Sequence, residues 1–268
     1  MPAQKQKRGY PASHELLVIE ELGGQHASVG GRREEFEPRT LHGSGVEIET
    51  LIRRRGDPSP LVVVLHGWGD DASKMTAVGM LAYSAGFGVA LVSMRGWGRS
   101  GGRDDAGLEQ PDDIVRVVRH LGNEAWVLDG AVGLLGVSQG GQVALLAAAR
   151  GAPVRAVAAW APVTDLDEWR ATTRYPGIVA YIDSTCGDDT RRRSPVDVAG
   201  QITAPVLLIH GTADTRVPKE QSELMSAALR RSGCEIEHHL LPGIGHGGPD
   251  AVRLAWEVTA PFFSRHLQ

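Results

Sequence analysis

Apolar positions in this chain follow two different rhythms. Leu61-Val62-Val63-Val64-Leu65 is a continuous, β-branched run with no polar alternation. A strand that reads this way is buried on both faces, as in a parallel sheet. Similar runs recur over residues 88–93, 132–137, 154–160, 206–209 and 236–241. Between them the spacing is helical. Ile114, Val117, Val118 and Leu121 fall at i, i+3, i+4 and i+7. Residues 139–150 are Ala-rich and unbroken, and residues 218–231 open on Pro218 and stop before Gly233. A last helix is predicted from about Pro249 to His266, kinked near Pro261. Strands alternating with helices predict an α/β fold: a mostly parallel central sheet with helices on both faces.

Two regions depart from this rhythm. Ahead of the first buried run, Val46-Glu47-Ile48-Glu49-Thr50-Leu51 alternates, and His42-Gly43-Ser44-Gly45 supplies a turn, so residues 34–55 predict a hairpin. Residues 1–33 are polar and Gly-rich apart from Leu16-Leu17-Val18-Ile19, and are read as an N-terminal arm ahead of one domain over residues 34–268. Residues 161–203 show no long periodic stretch, and a long irregular insertion in a compact domain usually serves as a lid or loop. Within it the charges nearly cancel, so Arg191-Arg192-Arg193 is read as a solvated face rather than an anion site.

Composition narrows the function classes. The 268 residues are 42% hydrophobic and 22% charged, values of a globular chain. The net charge of −4 offers no basic field for nucleic acid. No apolar run approaches the roughly 18 residues of a membrane helix, so no membrane partner is expected. Cys186 and Cys234 are the only two cysteines and are expected as reduced thiols, which excludes a disulfide framework. Lys5, Lys7 and Arg8 are not followed by an apolar core, so a cytoplasmic protein is expected. His238 and His239 are adjacent on a predicted strand and face opposite sides, and the Gly-rich stretch 96–102 lacks the lysine of a phosphate loop. No metal and no cofactor are expected. Oligomerisation is left open.

One motif stands where chemistry needs it. Gly136-Val137-Ser138-Gln139-Gly140 matches G-x-S-x-G, follows a buried strand and opens an Ala-rich helix. A sharp strand-to-helix turn exposes the serine hydroxyl at the top of the sheet, whereas a serine that merely caps the helix would need no flanking glycines. A hydroxyl is a weak nucleophile at neutral pH and needs a base oriented by an acid. His246 lies in the Gly-rich loop Pro242-Gly243-Ile244-Gly245-His246-Gly247-Gly248, after the last strand. Asp214 follows the run 206–209 directly, with Asp165 as the reserve acid. The candidate catalytic residues are therefore Ser138, Asp214 and His246, in the chain order Ser, Asp, His. Backbone N–H groups of Gln139 and Trp68 are the candidate oxyanion donors, with Gly67 allowing close approach. Trp68, Trp169, Tyr175 and Tyr181 are candidates for substrate binding.

Together these residues resemble the α/β-hydrolase superfamily, and more narrowly the prolyl oligopeptidase family catalytic domain and related single-domain esterases. The narrower likeness rests on Met94-Arg95-Gly96-Trp97-Gly98-Arg99-Ser100, on Gly136 to Gly141, on Ala161-Pro162-Val163-Thr164-Asp165 ahead of Trp169, and on Ala204-Pro205-Val206-Leu207-Leu208-Ile209-His210-Gly211. It covers roughly residues 45–267. Ser93 stands where that family often has an aspartate. The large members carry a β-propeller, and none is expected here. The resemblance implies an α/β-hydrolase fold with a short lid insertion over residues 161–203. It implies triad roles for Ser138, Asp214 and His246, and a serine hydrolase that works through an acyl-enzyme on small carboxylic esters or short peptide-like amides. Two alternatives stay open: a biosynthetic thioesterase, acyltransferase or cyclase using the same triad, and a non-catalytic ligand-binding member of the fold.

Overall fold

The computed structural model describes residues 36–268, and the arm expected over residues 1–33 lies outside them. Eight strands form one sheet: β1 (Glu37–His42), β2 (Glu47–Arg53), β3 (Ser59–Leu65), β4 (Gly88–Val92), β5 (Val127–Val137), β6 (Ala156–Trp160), β7 (Val206–Gly211) and β8 (Ile236–Leu241). Their spatial order is β1-β2-β4-β3-β5-β6-β7-β8. β1 and β2 pair antiparallel through the turn at residues 43–46, β2 pairs antiparallel with β4, and all later pairings are parallel.

Both faces of the sheet are covered, as the continuous apolar runs require. Leu61, Val63 and Leu65 of β3 face the side of the sheet that α2 (Gln110–Gly122), α3 (Gln139–Ala149) and, over β7 and β8, α6 (Glu220–Arg231) cover. Val62 and Val64 face the other way, towards α1 (Thr76–Ser84) and α7 (Pro249–Leu267). All five residues from Leu61 to Leu65 are fully buried. Burying one such side chain contributes roughly 1.5–3 kcal/mol, so β3 is a poor place for a polar residue. Pro261 lies inside α7, where the flanking Phe262 and Phe263 are buried and hold the helix on the sheet.

Two elements differ from the sequence reading. β5 starts at Val127, ahead of the apolar run at 132–137. Asp129 and Gly130 adopt positive φ angles there, and the pairing with β3 shifts register between Ser59 and Leu61. A bulge of this kind breaks the hydrophobic pattern by which the strand is recognised. Residues 161–203 are not irregular either. They hold α4 (Leu166–Thr172) and α5 (Pro176–Cys186), with short 3-10 turns at Arg191–Arg193 and Pro195–Gln201. Both helices are too short for a periodic signal. α4 is started by Asp165, whose carboxylate accepts the Glu168 N–H at 3.0 Å, and α5 has Pro176 at its first position.

Arg193 is a further correction. Arg191 and Arg192 are solvated, but the Arg193 side chain is only 6% exposed. It donates to the Asp105 carbonyl at 3.0 Å and pairs with Asp189 at 3.0 Å, so the triplet is not one solvated face. Cys186 and Cys234 are both free thiols. Among the described residues no helix is long and apolar enough to cross a membrane.

Parallel strands end at a common edge, and the loops that leave their carboxyl ends meet there. The loop after β3 supplies residues 66–70, the end of β5 supplies Ser138, the loop after β7 supplies residues 212–217, and the loop after β8 supplies residues 242–248.

Candidate active site

Ser138 sits on the sharp turn between β5 and α3 with φ 56° and ψ −118°, a left-handed conformation that a non-glycine residue adopts only under constraint. A Cβ on Gly136 would collide with the Gly140 carbonyl, and one on Gly140 would strike the His66 and Leu65 carbonyls. The turn therefore needs glycine at both places. The Ser138 N–H donates to the Trp160 carbonyl at 2.8 Å, which fixes the turn to β6. The hydroxyl makes no cap bond to α3 and is left for His246.

His246 Nε2 lies 3.0 Å from Ser138 Oγ, and its Nδ1 lies 2.7 Å from Asp214 Oδ2. A carboxylate can only accept, so the Nδ1 proton is on the Asp214 side and Nε2 is free to accept from the serine hydroxyl. Asp214 is held from three directions. Its Oδ1 accepts the Arg216 N–H at 2.9 Å and the Val217 N–H at 3.0 Å. His210 Nε2 stands 3.3 Å from Oδ2. Burial pushes this carboxyl up, but hydrogen bonds from His210 and His246 outweigh it and hold the group well below the usual carboxylate range. Asp165, the reserve acid, is committed to the start of α4.

The loop after β3 faces the same point. A methyl group built on Gly67 would stand 3.6 Å from Ser138 Cβ. Among the described residues, neither the Trp68 nor the Gln139 backbone N–H is given to a protein acceptor. His66 sets the loop's path. Its Nδ1–H donates to the Gly67 carbonyl at 2.7 Å, and its Nε2 accepts the Met94 N–H at 2.9 Å. Burial pushes this imidazole down to about 4, so it is a neutral structural group at pH 7.

The aromatic candidates are placed unequally. Trp68 is 47% exposed, and its ring lies 5.3 Å from the Tyr181 ring and 6.1 Å from the Trp97 ring. The Tyr181 hydroxyl donates to Asp104 Oδ2 at 2.7 Å and accepts from Gln139 Nε2 at 2.9 Å, while Gln139 Nε2 also reaches Asp104 Oδ1 at 2.9 Å. One carboxylate thus ties α5 to the residue after Ser138. Tyr175 is exposed, with its hydroxyl 3.1 Å from Thr215 Oγ1. Trp169 is buried among Val163, Leu166, Ile182 and Val217 and donates its N–H to the Arg216 carbonyl at 2.9 Å.

Sequence reasoning assigned no role to His66, His210 or Asp104. The two histidines carried a signal, since each ends an apolar run and precedes a glycine, Leu65-His66-Gly67 and Ile209-His210-Gly211. Asp104 carried none, because the two partners that tie it to the site, Gln139 and Tyr181, lie 35 and 77 positions away. Among the described residues no group of three or more His, Cys, Asp or Glu is arranged to hold a metal ion.

Comparison with known proteins agrees with this architecture. The profile of the prolyl oligopeptidase family matches residues 74–268. The acylamino-acid-releasing enzyme of Arabidopsis thaliana is 25% identical over 215 residues, which cover 72% of this chain and 28% of that one. A puromycin-hydrolyzing peptidase of Mycobacterium tuberculosis superposes with a TM-score of 0.75 at 21% identity, over 90% of this chain and 41% of that one. Est1E from Butyrivibrio proteoclasticus, solved with ferulic acid bound, superposes with a TM-score of 0.70 at 21% identity, over 85% of this chain and 98% of that one. The chain thus spans well under half the length of the first two.

Proposed function

This chain belongs to the prolyl oligopeptidase family and has the α/β-hydrolase fold, and from that premise we propose that it is a serine hydrolase acting through an acyl-enzyme on small carboxylic esters or short peptide-like amides. The observation that carries this reading is His246, which bridges Ser138 at 3.0 Å and Asp214 at 2.7 Å. Ser138 Oγ attacks the substrate carbonyl carbon as His246 Nε2 takes the hydroxyl proton. Asp214 keeps the imidazole in the required tautomer and stabilises the imidazolium. The carbonyl oxygen becomes an oxyanion facing the N–H groups of Trp68 and Gln139, and such a donor is worth roughly 3–4 kcal/mol when measured by removal. Collapse expels the alcohol or amine, which takes its proton from His246. Water then repeats the cycle and frees Ser138.

In this reading the exposed Trp68 and the Tyr181 ring beside it supply an apolar wall for the substrate, the exposed Tyr175 a further contact, and Trp169 belongs to the buried cluster against which Tyr181 packs. Amide leaving groups need the proton from His246, whereas activated esters barely do, so the two substrate types separate by chemistry. A fluorophosphonate should label Ser138, mapped by peptide mass spectrometry. Turnover of p-nitrophenyl esters and aminoacyl p-nitroanilides should vanish in Ser138→Ala. Absence of label on Ser138, or full activity in Ser138→Ala, would reject the proposal.

A further inference from the structure

One carboxylate beside the nucleophile has no partner among the described residues. Residues 67–70 form a tight turn, closed by the Asp70 N–H donating to the Gly67 carbonyl at 3.3 Å, with Gly69 at φ 89°. The turn folds Asp70 back against Gly67. The methyl group that would stand 3.6 Å from Ser138 Cβ would also stand 3.9 Å from Asp70 Oδ2, so nucleophile and carboxylate flank a single glycine.

The neighbouring carboxylates are all occupied. Asp214 holds two imidazoles and two backbone N–H groups. Asp104 accepts from Tyr181 and Gln139, and Asp71 accepts from the Ser73 N–H and hydroxyl. The half-buried Asp70 differs. Among the described residues its side chain accepts no hydrogen bond and enters no ion pair. Burial raises its pKa against the pull of Lys74 and Arg216, neither of which is within ion-pairing distance. A half-buried carboxylate without a protein partner, placed beside a nucleophile and still open to solvent, is free to take a charged group of a ligand. Trp68, in the same turn, exposes its indole. A carboxylate and an open indole are the two groups that select an ammonium ion, by a charge-assisted hydrogen bond and a cation–π contact.

We propose that Asp70 binds a protonated primary amine of the substrate, so that the site prefers esters or amides whose acyl part carries an ammonium group next to the scissile carbonyl, as an aminoacyl compound does. The proposal rests on the hydrolase reading of the same site, but its test separates the two.

The test compares kcat/KM for L-phenylalanine methyl ester and its N-acetyl derivative, at a pH where the amine is protonated. The native chain should favour the free amine, and Asp70→Asn should lower that preference roughly 10- to 100-fold, the value of one charge-assisted hydrogen bond. Asp70→Glu should recover part of it. An equal preference in the native chain, or a ratio that Asp70→Asn leaves unmoved, overturns the proposal. Should the variants fail to fold, the native chain decides through benzylamine and benzyl alcohol, titrated calorimetrically. Benzylammonium should bind at least about tenfold tighter, and equal binding overturns the proposal. Ammonium binding without turnover of any ester would defeat the hydrolase reading alone. Turnover without ammonium preference would defeat the Asp70 proposal alone.

Discussion

His210 Nε2 lies 3.3 Å from Asp214 Oδ2, and the same nitrogen lies 2.9 Å from the Val217 carbonyl. Both partners accept, so the proton is on Nε2, and the buried Nδ1 has no partner among the described residues. The carboxylate therefore has an imidazole on either side: His246 towards Ser138, and His210 towards the core. His210→Ala should cost about 2–4 kcal/mol of stability in urea unfolding, from the cavity and the lost bond together. It should lower kcat only about tenfold, since His246 keeps Asp214. Asp214→Asn should lower kcat by about three to four orders of magnitude, because an amide can hold the wrong tautomer. Equal losses in the two variants would place His210 in the proton-transfer chain itself.

Ser138 and His246 act as one unit in the proposed chemistry. Ser138→Ala and His246→Ala should each lower kcat by about four to six orders of magnitude, and the double variant should be no worse than either. Steady-state rates on one p-nitrophenyl ester settle this. Losses that add on a logarithmic scale would show that the two side chains do not cooperate.

Tyr181 separates wall from anchor. Tyr181→Phe keeps the ring 5.3 Å from Trp68 but removes the hydroxyl that bonds Asp104 and Gln139. It should cost about 1.5–3 kcal/mol in thermal or urea unfolding, with KM nearly unchanged, since a bond to a charged group is lost. Tyr181→Ala removes the ring as well and should raise KM for substrates with aromatic acyl groups. Identical KM values in the two variants would remove Tyr181 from the substrate wall.

Acid should destabilise the fold in two stages. His66 ordinarily titrates near 6.5, and burial lowers it to about 4 in the folded chain. Between these values the unfolded chain binds the extra proton, so stability falls as pH drops through that window. For this residue the loss amounts to about 3 kcal/mol, and it levels off below the folded value. Asp214 then takes over. Its folded pKa is depressed, so its contribution is present above the unfolded carboxylate value and is lost as pH falls further. Urea midpoints from neutral pH down to about 4 should fall less steeply in His66→Gln than in the native chain. An unchanged slope would mean that other groups take up the proton.

Short-range pattern and long-range contact contributed differently to what could be read. The buried strands announce themselves because five or six consecutive apolar residues have no other stable use than a covered sheet. Gly136, Ser138 and Gly140 announce a sharp turn because no Cβ fits on either side of it. The convergence of Ser138, Asp214 and His246, which follow β5, β7 and β8, has the same logic, since parallel strands deliver their following loops to one edge. Helices α4 and α5 leave no clear mark in the sequence because seven and eleven residues do not build a clear period.

What the chain by itself determined, then, is the sheet, its covering helices and the three loops that carry Ser138, Asp214 and His246, because apolar periodicity and glycine sterics act between near neighbours. Only the tertiary structure decided that His210 backs Asp214, that Asp104 fastens Tyr181 to Gln139, that Arg193 turns inward and that Asp70, without a partner among the described residues, stands beside Ser138. Asp104 and Tyr181 are 77 positions apart, and Arg193 lies 88 positions from Asp105. A polar side chain acquires its role from the partner that folding brings to it, and no local pattern records that partner.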